Sequence, residues 1–522
     1  MTEIPNEDRP APDISPRRAL VLLTVILLVG GLTRFWQIGH KELWLDECIS
    51  AVAAEGSLAQ TAVNVAQNDA HPPLYYLALN ATTRLTGRSE AGHRVLSALA
   101  STASIALTYL IGAALLSRAA GLLAAGGLAL SSFQLYFAQE ARLHALVTLL
   151  VLGMTYVFIR IVTSRDPSPR ALWPWMAGYG LLVAASLYTY YYAFFAVAAH
   201  VVVFCVLWLV VRWRSGAGEE RWLLTHRRAD ALWPMWLAAM VLGGVLFVVG
   251  WGDVVLDKFG AVKGVESSPY ALGGVVAALR RFLTGPAFDR LVPQLRGLEW
   301  FSMSLVALLP FAGAACAART KPGAAWLLAL SVLVPFACLA VIPRPHVFEA
   351  KHLAFVAPVA YLMLGASWSL PRIRWIAVMV LVLLAALNTG LNWVYFRPDY
   401  RKERWADVAR ELRVRGRRGD VVVVTPRYGA HALGRYYDGP MQVVPANTAE
   451  PLVSVAASRP PAVWLVELGS QVAYPSAGIG DWLRAHKQFC EPAPPGRIFR
   501  GFSTFPTAVR IRRFVHRPAG TR

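Results

Sequence analysis

Carboxylates, histidines and cations gather at four places in the chain, each beside an apolar run. Trp44-Leu45-Asp46-Glu47 is the first. Adjacent carboxylates at a membrane surface raise each other's pKa and suit taking a proton from a hydroxyl or binding a divalent cation. An Asp-Glu pair is also what the dipole of a helix N-terminus favours, so the pair alone leaves both readings open. The second place is Asn68-Asp69-Ala70-His71-Pro72-Pro73-Leu74-Tyr75-Tyr76. Its prolines fix their own φ and restrict the preceding residue, so the loop delivers Asp69, His71 and Tyr75 stiffly to the start of a short apolar stretch. The third is Gln139-Glu140-Ala141-Arg142-Leu143-His144. Any one of these ionisable groups could snorkel to the interface, but three within so short a stretch between apolar runs point to a site. The fourth holds Arg344, His346, Glu349, Lys351 and His352, and Arg is the cation best shaped to grip a phosphate.

Together these groups suit a membrane-bound substrate with a phosphate leaving group and a hydroxyl acceptor. A carboxylate would take the hydroxyl proton as it attacks, and Arg, Lys and His would stabilise charge on the departing phosphate. No P-loop, G-x-G-x-x-G or G-x-S-x-G stands at a strand-to-helix junction, so soluble nucleotide chemistry has no visible site.

The elements that must position these residues are membrane helices. Of 522 residues, 56% are hydrophobic and 16% charged, with a mean hydropathy of +0.45, against roughly 45–50% and 25% in soluble domains. A soluble chain of this length would have too few polar residues to cover its surfaces. The charge balance, 51 − 31 = +20, sits in loops between apolar runs and not in one basic stripe. That distribution fits anionic headgroups and lipid phosphates better than nucleic acid. Five widely spaced cysteines give neither a disulfide framework nor a zinc site.

Apolar runs of about the length needed to cross a bilayer lie at 19–36, 94–116, 119–138, 143–162, 174–189, 193–212, 231–251, 301–318, 325–342, 353–370 and 374–392. That predicts about eleven spans. No small-residue cleavage site follows the first run, and Arg34-Phe35-Trp36 reads as its interfacial anchor. With residues 1–18 as a cytoplasmic tail, the loops at 117–118, 160–170, 212–228, 319–321 and 372–374 fall inside, and each carries Arg or Lys, as the positive-inside rule requires. The transmembrane domain is then 19–393, with extracytoplasmic loops at 37–92, 139–142, 251–300 and 343–352. Residues 394–522 form an extracytoplasmic α/β domain, with short buried strands at 420–426 and 462–466 and an amphipathic helix over 401–415. In it Trp464, Glu467, Tyr474, Tyr436 and Tyr437 could contact a sugar or could be core and surface residues.

A first span followed by Leu45-Asp46-Glu47, then Asp69-Ala70-His71-Pro72-Pro73-Leu74-Tyr75-Tyr76, then Glu140-Ala141-Arg142, resembles the GT-C superfamily of integral-membrane glycosyltransferases. The type is family 39-like, the group of aminoarabinose transferases and protein O-mannosyltransferases. The resemblance implies a mainly α polytopic fold and transfer of a sugar, with inversion, from a polyprenyl-phosphate donor to an acceptor hydroxyl on a glycolipid, envelope glycan or protein. It implies Asp46 as general base, Glu47 as its orienting neighbour and Glu140 as the second acidic residue. Arg142, Lys351, His352 and Arg344 would hold the donor phosphate, and Asp69, His71, Tyr75 and His144 would contact substrate. Two departures stand out: His144 where relatives often have Tyr, and Lys351-His352 where an Arg-Tyr pair is common. Asp46 and Glu140 could also hold a divalent metal ion. The expected location is the bacterial cytoplasmic membrane. Rival classes are a transporter, which usually carries midplane polar groups and inverted repeats, and a polyprenyl-phosphate-binding assembly factor without catalysis.

Overall fold

The computed structural model describes residues 13–164, 166, 168–213, 226–260, 272–285, 288, 308–341, 349–369, 374–469, 479–486, 489–490, 497–500 and 508–516. They form two compact units. One takes the described residues of Met1–Ile38, Gly56–Thr86 and Arg94–Tyr395, the other those of Gly39–Glu55, Gly87–His93 and Phe396–Arg522. The sequence reading kept 37–92 whole within the transmembrane domain, whereas two pieces of it belong to the C-terminal unit. The cause is apolar: Leu43, Leu45, Cys48 and Ala51 are buried in that unit's core.

The first unit is helical. Among the described residues eight helices are long and apolar enough to cross a bilayer, nine if one bent pair counts as a span. The other two expected spans differ. Pro169–Thr189 is a full helix whose Trp173, Pro174, Trp175, Tyr179 and Tyr188 dilute its hydropathy, and Leu308–Ala318 is shorter. Leu20, Leu28, Leu32, Val382 and Leu383 are each at least 60% exposed, which would cost about 1.5–3 kcal/mol per side chain in water but nothing against lipid tails. The chain is a multi-pass membrane protein.

The bent pair is Arg118–Leu130 and Ser132–Ala138, turned by 59° at Ser131. A break inside apolar surroundings strands backbone groups that must find partners within the protein. Arg34 supplies them. Its guanidinium donates to Ala129 O at 2.9 Å, Leu128 O at 3.1 Å and Gly30 O at 2.9 Å, and its Nε to Ser101 Oγ at 2.8 Å. Asn392 Nδ2 donates to Leu130 O at 2.8 Å, and the Ser132 N–H donates to Asn388 Oδ1 at 2.8 Å. Arg34 is thus fully buried, where the sequence reading placed an interfacial anchor. Four acceptors inside the bundle outweigh the pull of the headgroups. Close crossings surround the break: a Cβ on Gly112 would lie 2.6 Å from Gly121 Cα, so Glu90–Leu115 meets Arg118–Leu130 backbone to backbone.

The second unit is an α/β sheet of six strands among the described residues: β1 Val421–Thr425, β2 Gln442–Pro445, β3 Ala462–Gly469, β4 Phe489–Cys490, β5 Arg497–Arg500 and β6 Ala508–His516. The order is β2-β1-β3-β6-β4, with β5 also on β6. β1 pairs parallel to β2 and β3, and β6 runs antiparallel. Both faces of β1 are covered, which explains its unbroken valine run. Trp405, Val408 and Leu412 of Trp405–Arg415 cover one face, while Leu452, Val455, Ile479 and Leu483 cover the other. Val414, part of the same amphipathic pattern, is 77% exposed.

Replacing Arg34 with Met should cost about 1–3 kcal/mol for each carbonyl it leaves bare, read as a lower melting temperature in detergent, and Arg34→Lys, lacking the planar fork, should recover little of it. Burial pushes the Glu42 and Glu403 carboxyls of the second unit from 4.5 up to about 7. Raised carboxyl values favour folding at low pH and lose that advantage as pH climbs from about 4.5 to 7. The melting temperature should fall over that window, and Glu42→Gln with Glu403→Gln should flatten the fall.

Candidate active site

In the first unit the sites of interest lie where helices end. Asp69 follows Leu58–Asn68. Its Oδ1 accepts the His71 N–H at 2.9 Å and lies 2.8 Å from His71 Nδ1, while its Oδ2 accepts the Tyr76 hydroxyl at 2.9 Å. Lys258 Nζ donates to Val65 O and to Asp69 O. Burial alone would raise the Asp69 carboxyl, but the His71 hydrogen bond and charge and the Arg142 guanidinium hold it well below the usual carboxylate range.

The His71 ring stacks on Tyr190 at 5.7 Å between centroids, and the His144 ring meets the same tyrosine edge-on at 6.0 Å. Tyr190 OH lies 2.7 Å from His352 Nδ1, and His352 stacks on Tyr192 at 4.9 Å. Glu140 Oε2 is 3.7 Å from His144 Nδ1, and Lys351 pairs with Glu349 at 2.9 Å. His144 feels the charges of Arg142, Lys351, His71 and His352. Glu140, Arg142 and His144 are all buried. Their loop is pinned from behind by Gln139, whose Nε2 donates to Arg34 O at 3.0 Å and Trp36 O at 2.7 Å.

Four separated segments, 69–76, 140–144, 190–192 and 349–352, therefore build one polar cluster. Each occupies a break: Tyr190 is extended between Pro169–Thr189 and a short 3₁₀ turn, and Leu353 leaves helical geometry just after His352. Against the cluster lies an apolar cavity of about 520 Å³, bounded by Val183, Leu187, Tyr192, Phe195, Met240 and Phe247. Tyr192 belongs to both.

The cluster unites Asp69, His71, Glu140, Arg142, His144, Lys351 and His352 from the sequence reading. Tyr75 is fully buried and edge-on to Tyr76; the tyrosine that reaches Asp69 is Tyr76. Arg344 lies outside the described residues. Tyr190, Tyr192 and Lys258 were missed. The run Tyr188-Thr189-Tyr190-Tyr191-Tyr192 between two apolar runs is the signal that could have found the two tyrosines.

In the second unit Asp46 and Glu47 occupy the first turn of Leu45–Ala53. Glu47 is fully buried and accepts the Trp44 N–H at 3.3 Å, the work of a helix-capping carboxylate. Asp46 is half-buried. Trp464, Glu467, Tyr436 and Tyr437 each have partners within this unit. Trp464 is 1% exposed and donates to Asp420 at 3.0 Å, Glu467 holds Arg512 through two bonds at 2.7 and 2.9 Å, and the Tyr436 and Tyr437 hydroxyls accept from Leu43 N and Met441 N. Tyr474 lies outside the described residues.

Among the described residues no three His, Cys, Asp or Glu side chains gather as metal ligands.

Residues 70–225 match the family described as dolichyl-phosphate-mannose-protein mannosyltransferase. No curated protein matches the sequence. The structure is similar to that of ArnT from Cupriavidus metallidurans in the apo state, with a TM-score of 0.56 and 13% identity over 95% of this chain and 98% of that one. The chain has the GT-C fold. The undecaprenyl-phosphate-bound ArnT structure aligns over the same shares with a TM-score of 0.54 and 12% identity. A third GT-C structure, the apo oligosaccharyltransferase of Archaeoglobus fulgidus, aligns with a TM-score of 0.51 and 12% identity over 87% of this chain and 70% of that one.

Asp69→Asn should cost this GT-C chain about 1.5–3 kcal/mol, the value of hydrogen bonds to a charged group. Because the carboxyl is held low, it is ionised at pH 5 and at pH 7, and its stabilisation fades only as pH falls below the ordinary carboxylate range. Denaturation of wild type and variant should show the same deficit at both pH values.

Proposed function

We propose that this protein is a membrane glycosyltransferase that moves a sugar from a polyprenyl-phosphate donor to an acceptor hydroxyl, with inversion, on the extracytoplasmic face of a bacterial cytoplasmic membrane. The observation that carries the reading is the cluster of Arg142, Lys351, His352, His144 and His71 bordering an apolar cavity through Tyr192. The fixed cations Arg142 and Lys351, with imidazoles beside them and a greasy groove adjoining, are what a lipid phosphate requires at its two ends. The match to a dolichyl-phosphate-mannose-dependent family and the likeness to an undecaprenyl-phosphate-bound enzyme support the same donor class. The Arg and Lys loops assigned to the inside support the orientation.

Asp46 takes the acceptor proton as the hydroxyl oxygen bonds to the anomeric carbon. The bond from that carbon to the phosphate oxygen breaks, and polyprenyl phosphate leaves with its added charge held by Arg142 and Lys351. Asp69 fixes His71, and Tyr190 fixes His352, in the orientation that faces the phosphate. Glu140 orients His144. Glu47 keeps the first turn that presents Asp46 intact. The acceptor is a glycolipid, an envelope glycan or a protein hydroxyl.

Membranes expressing wild type or Asp46→Asn, supplied with a panel of radiolabelled polyprenyl-phosphate sugars, test this directly. Wild type should label an acceptor, and the variant should lose about 10²–10⁴-fold in rate with donor binding retained. Undiminished transfer by the variant would reassign the base, and no transfer from any donor would reject the function. Gly244 lines the cavity, and a Cβ there meets nothing within 4 Å, so Gly244→Trp should fold. It should weaken use of long-chain donors by about tenfold, equivalent to roughly two unburied methylenes, while sparing donors with a short lipid.

A further inference from the structure

We propose that Glu403 is the positioning residue for Asp46, and that the C-terminal unit serves as the scaffold of the acidic pair. This rests on the reading of Asp46 as the base. The Leu45 N–H, immediately before Asp46, donates to Glu403 Oε2 at 2.9 Å, and the same oxygen accepts Trp405 Nε1. A helix leaves its first N–H groups without internal partners, and here the partner comes from a side chain 358 positions away. Glu403 is 2% exposed and Trp405 fully buried. A carboxylate so enclosed is stiff, and its position transmits directly to the peptide that carries Asp46.

The surrounding contacts fix the approach to this turn. The Leu43 N–H donates to Tyr436 Oη at 2.6 Å, Glu42 accepts the Ala406 N–H at 2.6 Å, and Lys402 Nζ lies 5.2 Å from the Trp44 ring centre. Beneath them Leu45 and Cys48 pack with Trp405, Leu433 and Val424. Polar bonds from Glu42, Leu43 and Leu45 thus alternate with apolar anchors, and the half-buried Asp46 is held at the rim. Of these groups, Glu403 is bonded nearest to Asp46.

Truncation of Glu403 should therefore leave a folded protein whose first turn is loose. By hydrogen exchange on the full-length protein in detergent, Glu403→Ala should speed exchange of the peptide covering 43–53 while β1 and β3 keep wild-type protection. Glu403→Gln retains a carbonyl oxygen to accept both bonds and should restore slow exchange. In the transfer assay Glu403→Ala should lower kcat by about 10- to 100-fold, the scale expected for a misplaced reacting group, with the acceptor KM unchanged, and Glu403→Gln should recover most of it. Asp420→Ala is the control, since it removes another buried carboxylate of this unit; it should lower the melting temperature without changing kcat or exchange at 43–53. Unchanged exchange at 43–53 in Glu403→Ala would overturn the proposal whatever the activity. Faster exchange with wild-type kcat would overturn it too. A wild type inactive with every donor would count against the function proposed for the protein, and the exchange measurements would then decide the anchor alone.

Discussion

A buried guanidinium at a broken helix is the constraint on which the membrane unit depends. The turn at Ser131 lets the chain leave one helical direction and reach Glu140, Arg142 and His144 within a few residues. In apolar surroundings such a turn is admissible only if the carbonyls of Ala129 and Leu130 find donors, since Leu128 O already accepts the Ser131 N–H at 3.2 Å. Arg34 and Asn392 are those donors, and Asn388 returns the favour to Ser132 N–H. Arg34 then hands its own carbonyl to Gln139, so one residue supports the bend from inside and tethers the loop beyond it. The first, third and last described spans are joined through polar atoms where packing alone would leave the register open.

The same logic recurs in the polar cluster. Every contributing segment is a departure from regular helix, and every departure is bridged by a side chain whose other end belongs to the cluster. Tyr190 is the hub: one phenol holds His352 by its hydroxyl, His71 by its face and His144 by its edge. Such sharing makes the histidines interdependent in orientation without tying any of them to a carboxylate alone. Asp69 supplies a fixed negative charge beside His71 and within the field of Arg142, which limits repulsion between them.

What the sequence made legible follows from the period of its signals. Long apolar runs exposed the spans, and the polar groups interrupting them exposed Glu140, Arg142, Lys351 and His352, because an ionisable residue beside lipid needs a reason. The valine run of β1 and the spaced apolar residues of Trp405–Arg415 marked the α/β unit. Hidden instead were the partners. Nothing local says that Arg34 points inward, since an Arg before two aromatics is also what an interface anchor looks like. Tyr76 and Tyr75 are neighbours of one type, and helix phase chooses between them. That residues 39–55 belong with the C-terminal sheet depended on complementarity between Leu43, Leu45 and Cys48 and a core assembled some 350 positions later.

That long separation sets a clock. The second unit draws its core from chain pieces made at opposite ends of synthesis, so the helix bearing Asp46 has no core to bury against until the strands of the C-terminal sheet emerge. At roughly 5–20 residues per second, translation of the 358 positions between Leu45 and Glu403 takes on the order of 18–72 seconds. Through that interval the membrane helices can insert while the acidic turn stays unformed. A nascent chain caught in the translocon, or a fragment cut short by a stop codon, would carry Leu43, Leu45 and Cys48 but lack the core that buries them.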